Sequence, residues 1–413
     1  MKERYLHQMA QCVLKQKWYQ KIRIVEAQTE LGQMYYLMDE ELNFIPYVKE
    51  YLNMIQARAE REVAPNTIRT YCYLLWYFIV FLTIRGWKVL DLDGQPDKLI
   101  EFKLWLNNPD RFYENIMPLN ESDAFEYEVD TLKAKTMNAI LSQVSSLYLW
   151  LKASHRIKEN PVIYRNVTIT SSMRDKDMLA HTRRSQTTQV NTLKSKVPKV
   201  IPKTINDKDF KRYLDDVNLL RDKIILLCLK EGGLRSNELL GIRLEDIDFA
   251  EQGVWIRFRA NNSNKARAKA GYGRDRFVHL PTDLMILIDR YISSEWLNSN
   301  ATEDFLFVVI GSHIPTDIGS AMTKSTLDSI FKYRSKKTRI KLHPHMLRHT
   351  HATELAREYI SKGEPINWEY ISKRLGHASV ATTMEIYAHL TPEDYKKEYD
   401  RMKEYRETKR KKE

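Results

Sequence analysis

The spacing of apolar positions changes period along the chain. KIRIVEA and MYYLMD alternate apolar and polar residues on either side of Gly32, which predicts a small hairpin in the segment 1–41. From Phe44 the period becomes helical, and FIPYVKEYLNMIQAR puts Ile45, Val48, Leu52 and Ile55 on one stripe. Three further helical stretches follow: APNTIRTYCYLLWYFIVFLTIRG, opened by Pro65 and stopped by Gly86, then LIEFKLWLN, then TMNAILSQVSSLYLWLKAS. Together they predict an all-helical domain over 42–165. From Asn166 to Thr204 the periodicity fades into Ser, Thr, Lys and Arg with Pro198 and Pro202, so 166–204 reads as a basic linker.

Helical spacing resumes at Asp207. RDKIILLCLKEGG predicts a buried helix ending at Gly232, and LRSNELLGI a short second one. VWIRFRA and RFVHLP read as strands, LMILIDRYISSEWL as a helix, DFLFVVI as a strand and STLDSIFKYRSKK as a helix. The part from 205 to 413 is therefore mixed α and β with a small antiparallel sheet, ending in a charged helical tail. The fold class is mainly α, in two domains.

Composition narrows the function. Lys and Arg number 66 against 54 acidic residues, a net charge of +12, which favours a polyanionic partner. An anionic membrane surface is disfavoured: the apolar run Tyr71–Thr83 is short for a spanning helix, and Arg69 and Arg85 bracket it. The opening residues carry no apolar core of a secretory signal, and Cys12, Cys72 and Cys228 form no CxxC pair. A cytoplasmic nucleic-acid-binding protein is the expectation.

The densest cluster of chemistry is LHPHMLRHTHA, with His343, His345, His349 and His351 around Arg348. Imidazoles suit a metal; a histidine and an arginine one helical turn apart suit an anion. Upstream, EGGLRSNELLGI places Arg235 at a helix start, with Glu238 one turn on and able to orient it. Downstream, LGHASVATTMEIYAH carries His377 and Tyr387. Each alone has an ordinary structural explanation. Their order over Gly233–His389 resembles that of the tyrosine recombinase (phage integrase-like) family, most closely the integrase-like transposases of mobile elements.

The resemblance implies a C-shaped clamp on duplex DNA, in which a helical core-binding domain is joined to an α+β catalytic domain. It implies breakage and rejoining through a covalent 3′-phosphotyrosine, with no metal, ATP or other cofactor. Arg235 would be the first catalytic arginine, His345 and Arg348 the central pair, His377 the fifth member and Tyr387 the nucleophile. The family's lysine lies in the hairpin FRANNSNKARAKAGYGRDRFVHLP; Lys269, seven residues before Arg276, is the first choice and Lys265 the alternative. His343, His349 and His351 would pack or cap locally. Arg69, Lys133, Lys135, Arg183, Arg184 and Arg274 are the candidates for contact with DNA phosphates. The partners implied are double-stranded recombination sites and further copies of the chain, as a tetramer on DNA in a bacterial cytoplasm. Rival readings are a type IB topoisomerase with the same chemistry, and a DNA-binding regulator with a silent site.

Overall fold

The computed structural model describes residues 21–58, 63–107, 132–169, 186–198, 202–268, 275–311, 317–377 and 379–387. The chain divides into two compact units at Lys199–Val200.

The first unit is built on β1 (Arg23–Thr29), β2 (Gly32–Met38), α1 (Val48–Arg58), α2 (Pro65–Arg85), α3 (Pro96–Asn107) and α4 (Ala134–Ala153). β1 and β2 pair antiparallel around the Gly32 turn. The hairpin is pinned to α2 where the Trp76 indole N–H donates to the Ile22 carbonyl at 2.8 Å. By length and composition alone α2 could cross a membrane. Yet Ile68, Cys72, Leu75, Trp76 and Phe78 through Leu82 are buried in the core of this unit, packed with Phe102, Trp105, Leu147 and Tyr148. Proline in the first turn and Gly86 after the last fix its ends.

The described parts of the segment read as a linker that precede Lys199, 166–169 and 186–198, belong to this unit. β3 (Tyr164–Ile169) and β4 (Gln186–Asn191) form an antiparallel pair. The Asn191 amide donates to Ser145 Oγ at 2.6 Å, and Asn138 exchanges two hydrogen bonds with the Ser195 backbone at 2.7 and 2.9 Å. Leu193 is buried in the same core. Polar side chains on α4 hold this stretch, so its own sequence shows no apolar stripe.

The second unit contains α5 (Asp207–Asp215), α6 (Leu220–Glu231), α7 (Ser236–Leu240), β5 (Ile247–Asp248), β6 (Gly253–Ile256), β7 (Arg276–His279), α8 (Thr282–Tyr291), α9 (Lys324–Thr338), α10 (Pro344–Lys362), α11 (Trp368–Leu375) and α12 (Val380–Tyr387). The sheet order is β5-β6-β7, all antiparallel. Val254, Ile256 and Val278 face a core shared with Ile224, Leu229, Leu239 and Leu347.

DFLFVVI is not a strand. It is an extended buried segment held by two isolated bridges, Arg243–Phe305 and Val308–Ala321. Phe305, Leu306, Phe307 and Val308 are all buried because the segment runs between other elements, not along a sheet. A continuous apolar run carries no period that would tell these cases apart.

Candidate active site

Arg235 is the N-cap residue of α7, and Glu238 is that helix's third residue. The Glu238 carboxylate accepts from the Arg235 backbone N–H at 2.9 Å and from its guanidinium at 2.7 Å. The same carboxylate takes a two-pronged contact from Arg276, at 3.2 and 2.8 Å, and lies 3.8 Å from the Arg348 guanidinium. Glu238 has no exposed side-chain surface. Burial alone would raise its pKa, but the hydrogen bonds and charge of Arg276, with Arg235 and Arg348, hold it down to about 2. One carboxylate thus serves three guanidinium groups, and the centre keeps a net positive charge.

The end of α11 supplies the other half. Gly376 turns left-handed (φ 63°), and the backbone N–H groups of Gly376 and His377 bond back to the carbonyls of Lys373 and Ser372. The last carbonyls then accept from the arginines: Leu375 from Arg348 at 2.6 Å and from Arg235 at 3.2 Å, Gly376 from Arg235 at 3.1 Å. The negative end of a helix thereby positions two cations. A Cβ on Gly376 would lie 2.5 Å from Arg276 Nη1, so the close approach needs glycine as much as the turn does. Arg348 also donates to the Gly233 carbonyl at 2.6 Å, and it is among the largest fully buried side chains.

α10 carries the histidine cluster. His343 is its N-cap, with Nδ1 accepting from the Met346 N–H at 3.1 Å, and Pro344 follows in the first turn. His345 and His349 lie one turn apart with rings edge to face, centroids 4.2 Å apart. Burial first, then Arg348, His343 and Arg235, pushes the His345 pKa below the usual imidazole range. His349 is pushed down to about 4, by burial and then by His345 and Arg348. His351 is buried and falls to about 3; its Nε2 accepts from Arg374 Nε at 2.9 Å. His377 follows α11, with Nδ1 2.7 Å from the buried Thr383 hydroxyl, and burial beside Arg348 and Arg235 pushes it down to about 3. His345 and His377 are therefore neutral at neutral pH. Among the described residues no group of His, Cys, Asp and Glu is arranged as a metal ligand set.

Tyr387 lies on α12, which packs on α11 and α10. Lys269 lies outside the described residues; Lys265 is exposed, on the arm leaving β6, with a left-handed backbone (φ 59°). Of the other candidates, Arg69 sits on α2 with its guanidinium over the rings of Tyr35 and Tyr73, at 5.5 and 5.6 Å. Lys133 and Lys135 are exposed at the start of α4, and Arg183, Arg184 and Arg274 lie outside the described residues.

The sequence reading gives Arg276 and Arg374 no role, yet Arg276 binds Glu238 at the centre and Arg374 braces the elements around it. Arg276 Nε donates to the Arg374 carbonyl at 3.2 Å, and Arg374 Nη2 to the carbonyls of Glu231 and His279 at 2.9 and 3.1 Å. The available signal is parity. On β7 the inward positions are Arg276, Val278 and then Leu280, so an arginine occupies a core-facing slot.

Comparison with known proteins shows what the chain is similar to. The phage integrase family profile matches residues 203–394. Transposase A from transposon Tn554 of Staphylococcus aureus is 30% identical over 392 residues, 94% of this chain and 100% of its own length. Tyrosine recombinase XerA of Pyrococcus horikoshii is 29% identical over 208 residues, 50% of this chain and 64% of its own. Among solved structures, the Tn1549 transposon integrase in complex with a circular intermediate DNA superposes with a TM-score of 0.54 at 17% identity, covering 86% of this chain and 99% of that one.

Proposed function

Because the chain belongs to the phage integrase family of tyrosine recombinases, we propose that Arg235, His345, Arg348, His377 and Tyr387 are the residues with which this DNA strand-exchange enzyme of a mobile element cuts and rejoins its sites. The observation that carries the assignment is the convergence of Arg235 and Arg348 on Glu238 and on the end of α11, with the neutral His345 and His377 beside them.

In this reading the Tyr387 hydroxyl oxygen bonds to phosphorus and the bond to the 5′-oxygen breaks, leaving a 3′-phosphotyrosine. The phenolic proton passes to His345, whose neutral imidazole can accept it. Arg235 and Arg348 hold the non-bridging oxygens, where negative charge collects. His377 donates a hydrogen bond to the same phosphate, and an arm lysine, Lys269 or Lys265, protonates the departing 5′-oxygen. Attack by another 5′-hydroxyl reverses the sequence, so the bond energy is kept and no nucleotide is consumed. Arg69, Lys133 and Lys135, with Arg183, Arg184 and Arg274, would supply phosphate contacts. The assembly is a tetramer on paired recombination sites in a bacterial cytoplasm.

The test is Tyr387→Phe on a nicked duplex that traps the covalent product. The variant should bind DNA as the parent does and form no denaturation-resistant adduct. An adduct at the parent rate would remove Tyr387 from the reaction.

A further inference from the structure

The arm that leaves β6 is bolted down over its described length. Asp246 receives Arg257 at 3.0 Å and Arg259 at 2.8 and 2.9 Å. Asn262, 8% exposed, donates to the Ala266 carbonyl at 2.8 Å. Asn264 does most: its amide nitrogen donates to the carbonyls of Leu240 at 2.8 Å and Met322 at 3.0 Å, while its oxygen accepts from the Ala266 N–H at 3.0 Å. Ala266 and Ala268 are buried in the core of this unit, and Lys265 stands exposed between the anchors.

The two carbonyls belong to the active-site frame. Leu240 ends the helix that Arg235 caps. Met322 is fully buried in the same core as Leu239 and Leu240 of that helix and Leu347, the neighbour of Arg348. A lysine on a flexible four-carbon stem can protonate one oxygen efficiently only if its root is held still.

We propose that Asn264 is a positioning residue for proton delivery to the leaving 5′-oxygen, fixing the arm lysine relative to Arg235 and His345. This rests on the reading that an arm lysine is the general acid. Asn264 touches no reacting atom and acts through the arm.

A pair of nicked duplexes built from the DNA flanking the gene separates the possibilities, one with oxygen and one with sulfur bridging to the 5′-carbon at the scissile phosphate. A thiolate leaves without a proton, whereas an alkoxide needs one. Asn264→Ala should form the covalent adduct about tenfold or more slowly on the oxygen substrate and at the parent rate on the sulfur substrate. Asn264→Asp keeps the size and the Ala266 contact but loses both donors; it should behave alike, and it carries the test if Asn264→Ala does not fold. Equal slowing on both substrates, or no slowing on oxygen, overturns the proposal. Lys265→Ala, Lys269→Ala and their double variant are run beside it. If none shows an oxygen-selective loss, the arm-lysine reading itself fails. If one does and the Asn264 variants do not, only the positioning role fails.

Discussion

Glu238 carries no part of the chemistry, yet the centre is arranged around it. Its depressed pKa, about 2 against 4.5 for the free side chain, means that the folded protein prefers the charged carboxylate. Stability from this group is fully present above pH of about 4.5 and drains away as the pH falls toward 2. The buried histidines have the corresponding effect at higher pH. His351 and His377 sit near 3 and His349 near 4, so the unfolded chain takes up their protons first, and stability declines as the pH drops below about 6.5. Urea unfolding should therefore show a two-part acid decline, and Glu238→Gln should abolish only the lower part. At pH 7 that variant should lose about 3–5 kcal/mol, because three guanidinium groups are left around a neutral amide. An unchanged low-pH limb would show that the carboxylate is not held as the geometry indicates. For catalysis the same physics predicts that the acid limb of adduct formation set by His345 lies below that of a free imidazole, because burial and then Arg348 disfavour its charged form; an acid limb centred at about 6.5 or above would contradict it. Most of this centre is legible in the sequence because GLRSNEL, HPHMLR, LGHAS and EIYAH are local strings in a fixed order. Arg276 gains no role there because its importance lies in which way one strand faces, and alternation alone does not say that an arginine at an inward position meets a buried carboxylate.

At the scale of elements, sequence pattern works where burial is one-sided and fails where it is total or absent. α2, α3 and α4 announce themselves by apolar spacing, and β1 and β2 by alternation about Gly32. DFLFVVI is apolar at nearly every position and is buried at nearly every position, so no face distinguishes a strand from a threaded segment. β3 and β4, YRNVTI and QTTQVN, fail in the opposite way. They are largely polar and pair with each other, and Asn191 ties β4 to α4 through the Ser145 hydroxyl, so no hydrophobic period exists to be read. The aromatic seam between α2 and α3 gives the sharpest test of element packing. Phe102 is fully buried, with ring centroids 5.1 Å from Phe78, 5.2 Å from Phe81 and 6.1 Å from Trp105. Phe102→Ala should cost about 3–5 kcal/mol in urea unfolding of the first unit, because a void bounded by rigid rings cannot collapse. A loss below 1 kcal/mol, on the order of a surface substitution, would mean that α3 is not seated on α2 as described.

For the whole molecule, the question is how two units share the work of holding DNA. Among the described residues each unit has hydrophobic clusters of its own: one spans Ile22 to Leu193, and the others run from Ile205 onward. Each unit therefore has the means to fold alone, and chains 1–199 and 200–413 should each unfold cooperatively. The net charge of +12 makes phosphate contact the dominant attraction, and each contact releases condensed counterions. The logarithm of affinity should fall linearly with the logarithm of salt concentration, with a slope of about −0.9 per phosphate contacted. Contacts made by separate units add, so the slope for the intact chain should equal the sum of the slopes for the two pieces. Affinity behaves differently: tethering raises the local concentration of the second unit, so the intact chain should bind roughly 10²–10⁴ times more tightly than the better piece. Fluorescence anisotropy on the flanking DNA from 50 to 400 mM salt, a range on the order of that over which such slopes are measured, gives both quantities. A full-chain slope matching that of one piece would place all the phosphate contacts on that unit and leave the other as a scaffold. A slope equal to the sum assigns both units to the DNA, so that neutralising Lys133 and Lys135 should shallow it by about two.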